Sequence, residues 1–454
     1  MNENTASGTA GALPLAAGAS GAKDVRRRIG AIFGGSIGNL VEWYDWYVYA
    51  TFALYFSHAF FPDSNPIISQ LNAAAVFSAG FLIRPIGSWA LGRYADRYGR
   101  KSALQLSIMM MCTGSLIIAV TPTYATIGAA APVLLVIARL LQGFSLGGEY
   151  GTSATYLAEV ATPGRRGFYS SFQYVTLISG QLFAAFVLVI LQFALLTPKE
   201  LDSWGWRVPF AIGALAAITG LWLRKRLPET DAFLHSKSKS KEAGGIKFLL
   251  KHPREVGIVA GMTMGGTVAF YTYSAYMQKY LVTTVGFTKE QSTIISTVTL
   301  LAFVLMQPVI GALSDRIGRK PVLIAFGVLG TFGNVPLLMA ISKATDPYTA
   351  SALIFVAVLV ISCYTALSAI VKAELFPAEI RSIGVGLPSA IAISLFGGTA
   401  ELIAYWLKNH GMETTFYWYV SACIAVSLIV FLKMRETSKT SVIEAQRIAA
   451  GSSG

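Results

Sequence analysis

The stretch GRYADRYGRK at residues 92–101 returns as GALSDRIGRK at residues 311–320. Both carry Gly-x-x-x-Asp-Arg-x-Gly-Arg-Lys, and both follow a long apolar run, 219 residues apart. A second echo pairs AEVATPGRRG (158–167) with AELFPAEIRSIG (373–384) at an offset near 215. Two polar motifs recurring at nearly one offset predict two homologous halves. The polar, Lys/Ser-rich stretch 225–253 is then the linker between them.

Composition says what the halves are made of. The chain has 454 residues, 54% hydrophobic and only 13% charged, with a mean hydropathy of +0.57. A soluble domain carries about 25% charged residues. The apolar residues arrive in blocks long enough to cross about 30 Å of hydrocarbon as helices. Twelve spans are predicted, at 29–57, 68–92, 102–121, 128–152, 168–196, 205–224, 255–284, 291–313, 321–342, 348–373, 383–407 and 414–432. The expectation is an all-α integral membrane protein with two six-helix bundles, 26–224 and 254–433. They are flanked by a disordered tail at 1–25, the linker at 225–253 and a second tail at 434–454. The first 22 residues are Ala/Gly/Ser-rich and lack the continuous apolar core of a secretory leader.

The net charge of +13 is a topology signal. Lys and Arg crowd into alternate loops: Lys23 to Arg28, Arg93 to Lys101, Arg165/Arg166, the central linker, Arg316 to Lys320, Arg381 and the C-terminal tail. The opposite loops hold only Lys199, Arg207, Lys289, Lys343 and Lys408. By the positive-inside rule both termini are cytoplasmic, as an even number of spans requires. No nucleic-acid partner is therefore expected. Cys112, Cys363 and Cys423 lie far apart in apolar runs, and His58, His235, His252 and His410 show no metal-ligand spacing. No nucleophile–base pattern appears either, so neither an enzyme nor a metal or other cofactor is expected.

Twelve spans in two halves, each with the Gly-x-x-x-Asp-Arg-x-Gly-Arg-Lys loop, resemble the major facilitator superfamily. GNLVEWYDWYVY (38–49), GFLIRPIG (80–87), ARLLQGFSLGGEYGTSATYLAEV (138–160) and GRRGFYSSFQYVTLISGQL (164–182) are similar to its metabolite:proton symporter branch. The likeness covers nearly all of residues 26 to 433, and the chain lacks the long heptad-bearing C-terminal extension of an osmosensing relative. The resemblance implies a monomeric, proton-coupled symporter in the bacterial inner membrane. It would import a small organic dicarboxylate, α-ketoglutarate foremost, by alternating access. Citrate, an aromatic acid or shikimate are the alternatives, and a zwitterionic osmolyte fits two intramembrane arginines less well.

Such parallel repeats place the substrate site near the midplane between the halves, where charged residues inside spans need a partner or water. In span one, helical spacing puts Gly35, Gly38, Glu42, Asp45 and Tyr49 on one small, polar stripe, with Trp43, Trp46 and Tyr47 on other faces. Each acid costs about 2.5–3.5 kcal/mol at a bilayer centre. Three residues apart, Glu42 and Asp45 titrate as a coupled pair, which suits proton carriage; neutralising an arginine is the plainer role. Arg84, with Gly80, Gly87 and Pro85 around it, sits in span two; Arg139, Gln142 and Glu149 share a stripe of span four. A guanidinium stays charged and binds carboxylate through paired bonds. Two of them suit a dicarboxylate, or else serve as fixed partners of Glu42 and Asp45.

Gln173, Tyr174, Thr176 and Gln181 in span five, and Tyr271, Tyr273 and Gln278 in span seven, join Tyr49 and Gln142 as candidate substrate contacts; packing between helices is the alternative role. Lys279 is expected to snorkel outward. Glu401 in span eleven is a third candidate proton carrier, and Lys372 is placed at the cytoplasmic end of span ten. The loop residues Asp96, Arg97, Arg100, Asp315, Arg316 and Arg319, with Glu149, Glu159 and Glu374, are expected to form latches. Such pairs form in one conformation and break in the other.

Overall fold

The computed structural model describes residues 40–98, 100–147, 149–162, 164–225, 249–378 and 380–444. Gly35, Gly38, the expected first tail and most of the expected linker lie outside them.

Among the described residues the chain forms helices and no strands, and most expected spans are found within a few residues of their expected ends; the expected start of span one lies outside the described residues, and span four continues eight residues past its expected end. Span one is helical over 40–60. Span two runs as Pro66–Leu82 and then Arg84–Tyr98, span three is Arg100–Val120, and span four is Ala130–Leu146 followed by Glu149–Val160. Span five is Arg166–Leu195 and span six Val208–Lys225. Span seven begins with Pro253–Tyr271 and continues through the π-helical turns Thr272–Tyr276 and Leu281–Val285. Lys289–Ile317, Arg319–Ser342, Pro347–Glu374, Arg381–Asn409 and Glu413–Lys433 complete spans eight to twelve. Seven of these helices are long and apolar enough to cross a membrane; Gln105–Val120, Ala130–Leu146 and Gly205–Ile218 are shorter apolar helices.

The ends follow local chemistry. Asn65 and Asp346 accept the backbone N–H groups of Ile67 and Thr349, each just before a proline at the start of its helix. Thr288 and Gln291 form a reciprocal capping box at the start of span eight. Large apolar side chains such as Leu215, Phe332 and Trp418 face outward, a surface suited to lipid rather than water. The polar residues instead collect where the halves meet: span five packs along span eight, spans four and ten touch, and span eleven crosses spans two and four.

Candidate functional site

Glycine sets how close spans two and four come. A Cβ at Gly143 would meet the Gly80 carbonyl oxygen at 1.9 Å, and one at Gly147 would meet that of Arg84 at 2.2 Å. The two backbones touch, so Arg84 and Arg139 project into the same volume. Trp46 of span one stands between them. Its ring centroid is 4.1 Å from the Arg84 guanidinium carbon and 3.9 Å from that of Arg139. Phe81 and Tyr49 add further faces at 4.1 and 4.5 Å. Ring faces attract cations, by up to about 2 kcal/mol when desolvated, without using up their N–H groups. Nε and Nη2 of both arginines are buried with no hydrogen-bond partner. Among the described residues neither guanidinium forms an ion pair.

One chain of polar groups leaves Arg139. Its Nη1 donates to Gln142 Oε1 at 2.7 Å; Gln142 Nε2 donates to Ser115 Oγ at 2.8 Å and to Asp45 Oδ2 at 3.3 Å. Ser115 in turn donates to Asp45 Oδ1. Asp45 is fully buried, and its contacts are neutral donors rather than a cation. It can therefore accept a proton without breaking an ion pair.

Beside this cluster lies a small cavity of about 30 Å³, walled by Trp43, Arg84, Tyr150 and Tyr174 from the first half and by Thr267 and Tyr271 from the second. It has room for about two waters, so a larger guest requires the halves to move apart.

The end carrying the repeated loops is held shut. Asp315 accepts the N–H groups of Gly167 and Phe168 at 2.8 and 2.9 Å, so the second half caps the first turn of span five. Arg319 braces that carboxylate at 2.8 Å and reaches Glu374 at 4.0 Å. Arg381 pairs with Glu159 across the halves. The segment after span twelve also takes part. Glu436 accepts the N–H groups of Arg319 and Lys320 at the start of span nine, and Glu444 pairs with Arg166 at 2.8 Å. Gly318, at φ +100°, makes the turn there, a conformation that favours glycine. Nearer the opposite end, Ser78 donates to the Gly398 carbonyl at 2.7 Å and Ser394 to that of Phe81 at 2.6 Å.

The structure thus brings Asp45, Arg84, Arg139, Gln142, Tyr49 and Tyr174 together. The Tyr49 hydroxyl is spent on the Ala73 carbonyl at 2.9 Å, leaving its ring for Arg139. Glu42 is buried a turn before Asp45. Gln173 accepts from Ser153 at 2.7 Å, a contact between spans four and five. Tyr273 and Gln278 do not line the cavity. Tyr273 donates to Asn334 at 2.9 Å, and Gln278 reaches Thr293. Span seven presents Thr267, Phe270 and Tyr271 instead, because the π-helical turn Thr272–Tyr276 inserts a residue and rotates everything after it.

Lys279 is a second correction: it points inward and pairs with Glu401 at 2.6 Å, both side chains buried. Snorkelling needs an unpartnered amine near the interface, and Glu401 removes that condition. A third concerns Trp43 and Trp46, which sequence spacing set on other faces: Trp43 walls the cavity, and Trp46 stands between the two guanidiniums. A small-residue stripe marks where helices touch, whereas a cation site is walled by rings. Lys372, placed by sequence at the end of its span, is fully buried between the halves. Arg316 is exposed. The side chains of Asp96, Arg97, Arg100 and Glu149 fall outside the described residues.

Residues 31–256 match the family model for sugar (and other) transporters, and residues 264–452 that of the major facilitator superfamily. The chain is 51% identical to the alpha-ketoglutarate permease of Escherichia coli (strain K12), over 92% of this chain and 96% of that one. It is 34% identical to a citrate-proton symporter of Klebsiella pneumoniae, over 88% of this chain and 94% of the relative. Its fold is similar to that of a proton:xylose symporter bound to 6-bromo-6-deoxy-D-glucose, with a TM-score of 0.72, 19% identity, and 92% and 98% of the two chains covered.

Proposed function

We infer that this chain, which belongs to the major facilitator superfamily of membrane transporters, is a proton-coupled symporter importing a small organic dicarboxylate, α-ketoglutarate in particular. The observation that carries this reading is the pair of buried guanidiniums, Arg84 and Arg139. Each has free N–H groups and ring faces for neighbours, beside a small cavity between the halves. A cation kept in place by aromatic faces retains its donors for a carboxylate from solution. Arg84 lines the cavity and takes the substrate; Arg139 links it to the acid.

Energetics supports coupling. A dianion entering a cell negative by 100 mV climbs about 4.6 kcal/mol. Protons carried inward offset that climb, and Asp45, held by Ser115 and Gln142, is the acid we assign to them. Glu42 precedes it by one turn. Glu401, already paired with Lys279, holds its bundle together.

Alternating access follows from the latches. With both termini cytoplasmic, Asp315, Arg319, Glu159, Arg381 and Glu374 close the cytoplasmic end, and Asp96, Arg97, Arg100, Arg316 and Glu149 complete the set through the repeat. The bundles 26–224 and 254–433 rock about the site as a monomer in the bacterial inner membrane.

The test is uptake of labelled α-ketoglutarate into proteoliposomes with and without an imposed pH gradient, acid outside. Accumulation above the external concentration only with the gradient supports the reading. Equal accumulation without it removes the proton coupling, and preference for citrate over α-ketoglutarate reassigns the substrate.

A further inference from the structure

Lys372 lies in span ten, one turn after Ser368 and two after Tyr364, with no exposed surface. Its Nζ donates to the Tyr150 hydroxyl of the first half at 3.3 Å and sits 5.2 Å from that ring's centroid. The same hydroxyl is 3.4 Å from Ser368 Oγ, which donates to Tyr364 Oη at 3.2 Å. Among the described residues no carboxylate pairs with this amine. Glu374, two positions on, faces Arg319 instead, as positions i and i+2 of a helix do not share a face.

Such a group has a large desolvation cost, and a burial site selected only for packing would be met by a neutral residue. Its neighbour Tyr150 is a wall of the cavity that Arg84 also lines. The cavity therefore has a guanidinium from the first half at its wall and, one hydroxyl behind the wall, an amine from the second half. Both have spare donors.

We propose that Lys372 is the specificity residue for the distal carboxylate, so that one dianion spans Arg84 in one half and Lys372 in the other. This rests on the dicarboxylate reading above and adds to it a reason for the halves to close. A ligand charged at both ends draws the bundles together as it binds. A monocarboxylate reaches one half only, and the carrier discriminates against it.

The experiment measures binding to purified carrier of α-ketoglutarate and of 2-oxopentanoate, the same five-carbon 2-oxo acid without its distal carboxylate. Lys372→Gln should weaken α-ketoglutarate about tenfold or more, the range for a lost hydrogen bond to a charged group, and leave 2-oxopentanoate within about twofold. Equal loss of both ligands, or an unchanged α-ketoglutarate affinity, overturns the assignment. Should Lys372→Gln fail to fold, Lys372→Arg decides. Its longer arm should shift preference from glutarate towards succinate, and an unaltered chain-length profile overturns the assignment. Failure of the wild-type carrier to bind any diacid refutes the dicarboxylate function itself, whereas wild-type binding that Lys372→Gln does not change refutes only the role of Lys372.

Discussion

Arg139 and Asp45 meet through a single amide: Gln142 accepts from the guanidinium at 2.7 Å and donates to the carboxylate at 3.3 Å. The arrangement separates charge from proton. Asp45 can be protonated while Arg139 stays charged, and the amide carries the consequence from one to the other.

Asp45→Asn keeps the shape and removes the titration. Uphill uptake of α-ketoglutarate driven by a pH gradient should vanish, while exchange of internal for external substrate survives in part. Parallel measurement of gradient-driven uptake and counterflow in proteoliposomes checks this. Equal loss of both in a folded variant assigns Asp45 a role other than coupling.

Arg84→Ala should lower affinity for α-ketoglutarate about a hundredfold, as expected when a charge-assisted pair of bonds is removed. Arg84→Lys should recover only part of it, since an ammonium lacks the planar fork. Binding isotherms on purified protein decide; an Arg84→Ala affinity equal to wild type rejects the assignment.

Arg381 and Glu159 join the halves at the repeated-loop end. Breaking the pair with Glu159→Gln should shift the population towards the state open at that end. The change would appear as faster labelling of a cysteine introduced at half-buried Ser382, the chain neighbour of Arg381. The charge-reversed double variant Glu159→Arg with Arg381→Glu should slow labelling again, and labelling rates indifferent to both variants would dismiss the latch.

Lys279 and Glu401 form a buried pair at 2.6 Å. Removing one partner leaves an uncompensated buried charge, at a cost of about 3–5 kcal/mol. Lys279→Met should therefore lower the unfolding temperature in detergent markedly. The double variant with Glu401→Leu should be more stable than Lys279→Met alone, by the coupling that a double-mutant cycle measures.

Glu436 carries a pH dependence. Partial burial pushes its carboxyl up, but the N–H groups of Arg319, Lys320 and Ser438 outweigh this and hold it below the usual glutamate range. A carboxylate lowered on folding stabilises the protein above its unfolded value, about 4.3, and that contribution fades as pH falls through the folded value. Thermal melts of wild type and Glu436→Gln should differ at neutral pH and converge in acid. A difference that persists in acid would mean that the Glu436 carboxyl is not lowered on folding.

The sequence by itself determined the elements, their number and their repetition. Apolar blocks of bilayer length, Lys/Arg-rich alternate loops and the two Asp-Arg-x-Gly-Arg-Lys motifs are local signals, and lipid leaves helices little alternative. Asp45, Arg84 and Arg139 were legible too, because a charge inside a span stands out against its neighbours.

Tertiary structure alone decided what each of those charges meets. Lys279 reads as a snorkelling lysine until Glu401, 122 residues away, comes beside it. Tyr271 and Tyr273 read alike as cavity residues until a π-helical turn leaves Tyr271 at the wall and turns Tyr273 to Asn334. Trp46 carries no charge to mark it, yet it keeps two guanidiniums apart; Lys372 acquires its meaning only from Tyr150 across the interface. Periodicity fixes which face of a helix a residue occupies when the helix is regular. Which face of another helix lies opposite is set by packing between distant segments, and no local pattern encodes it.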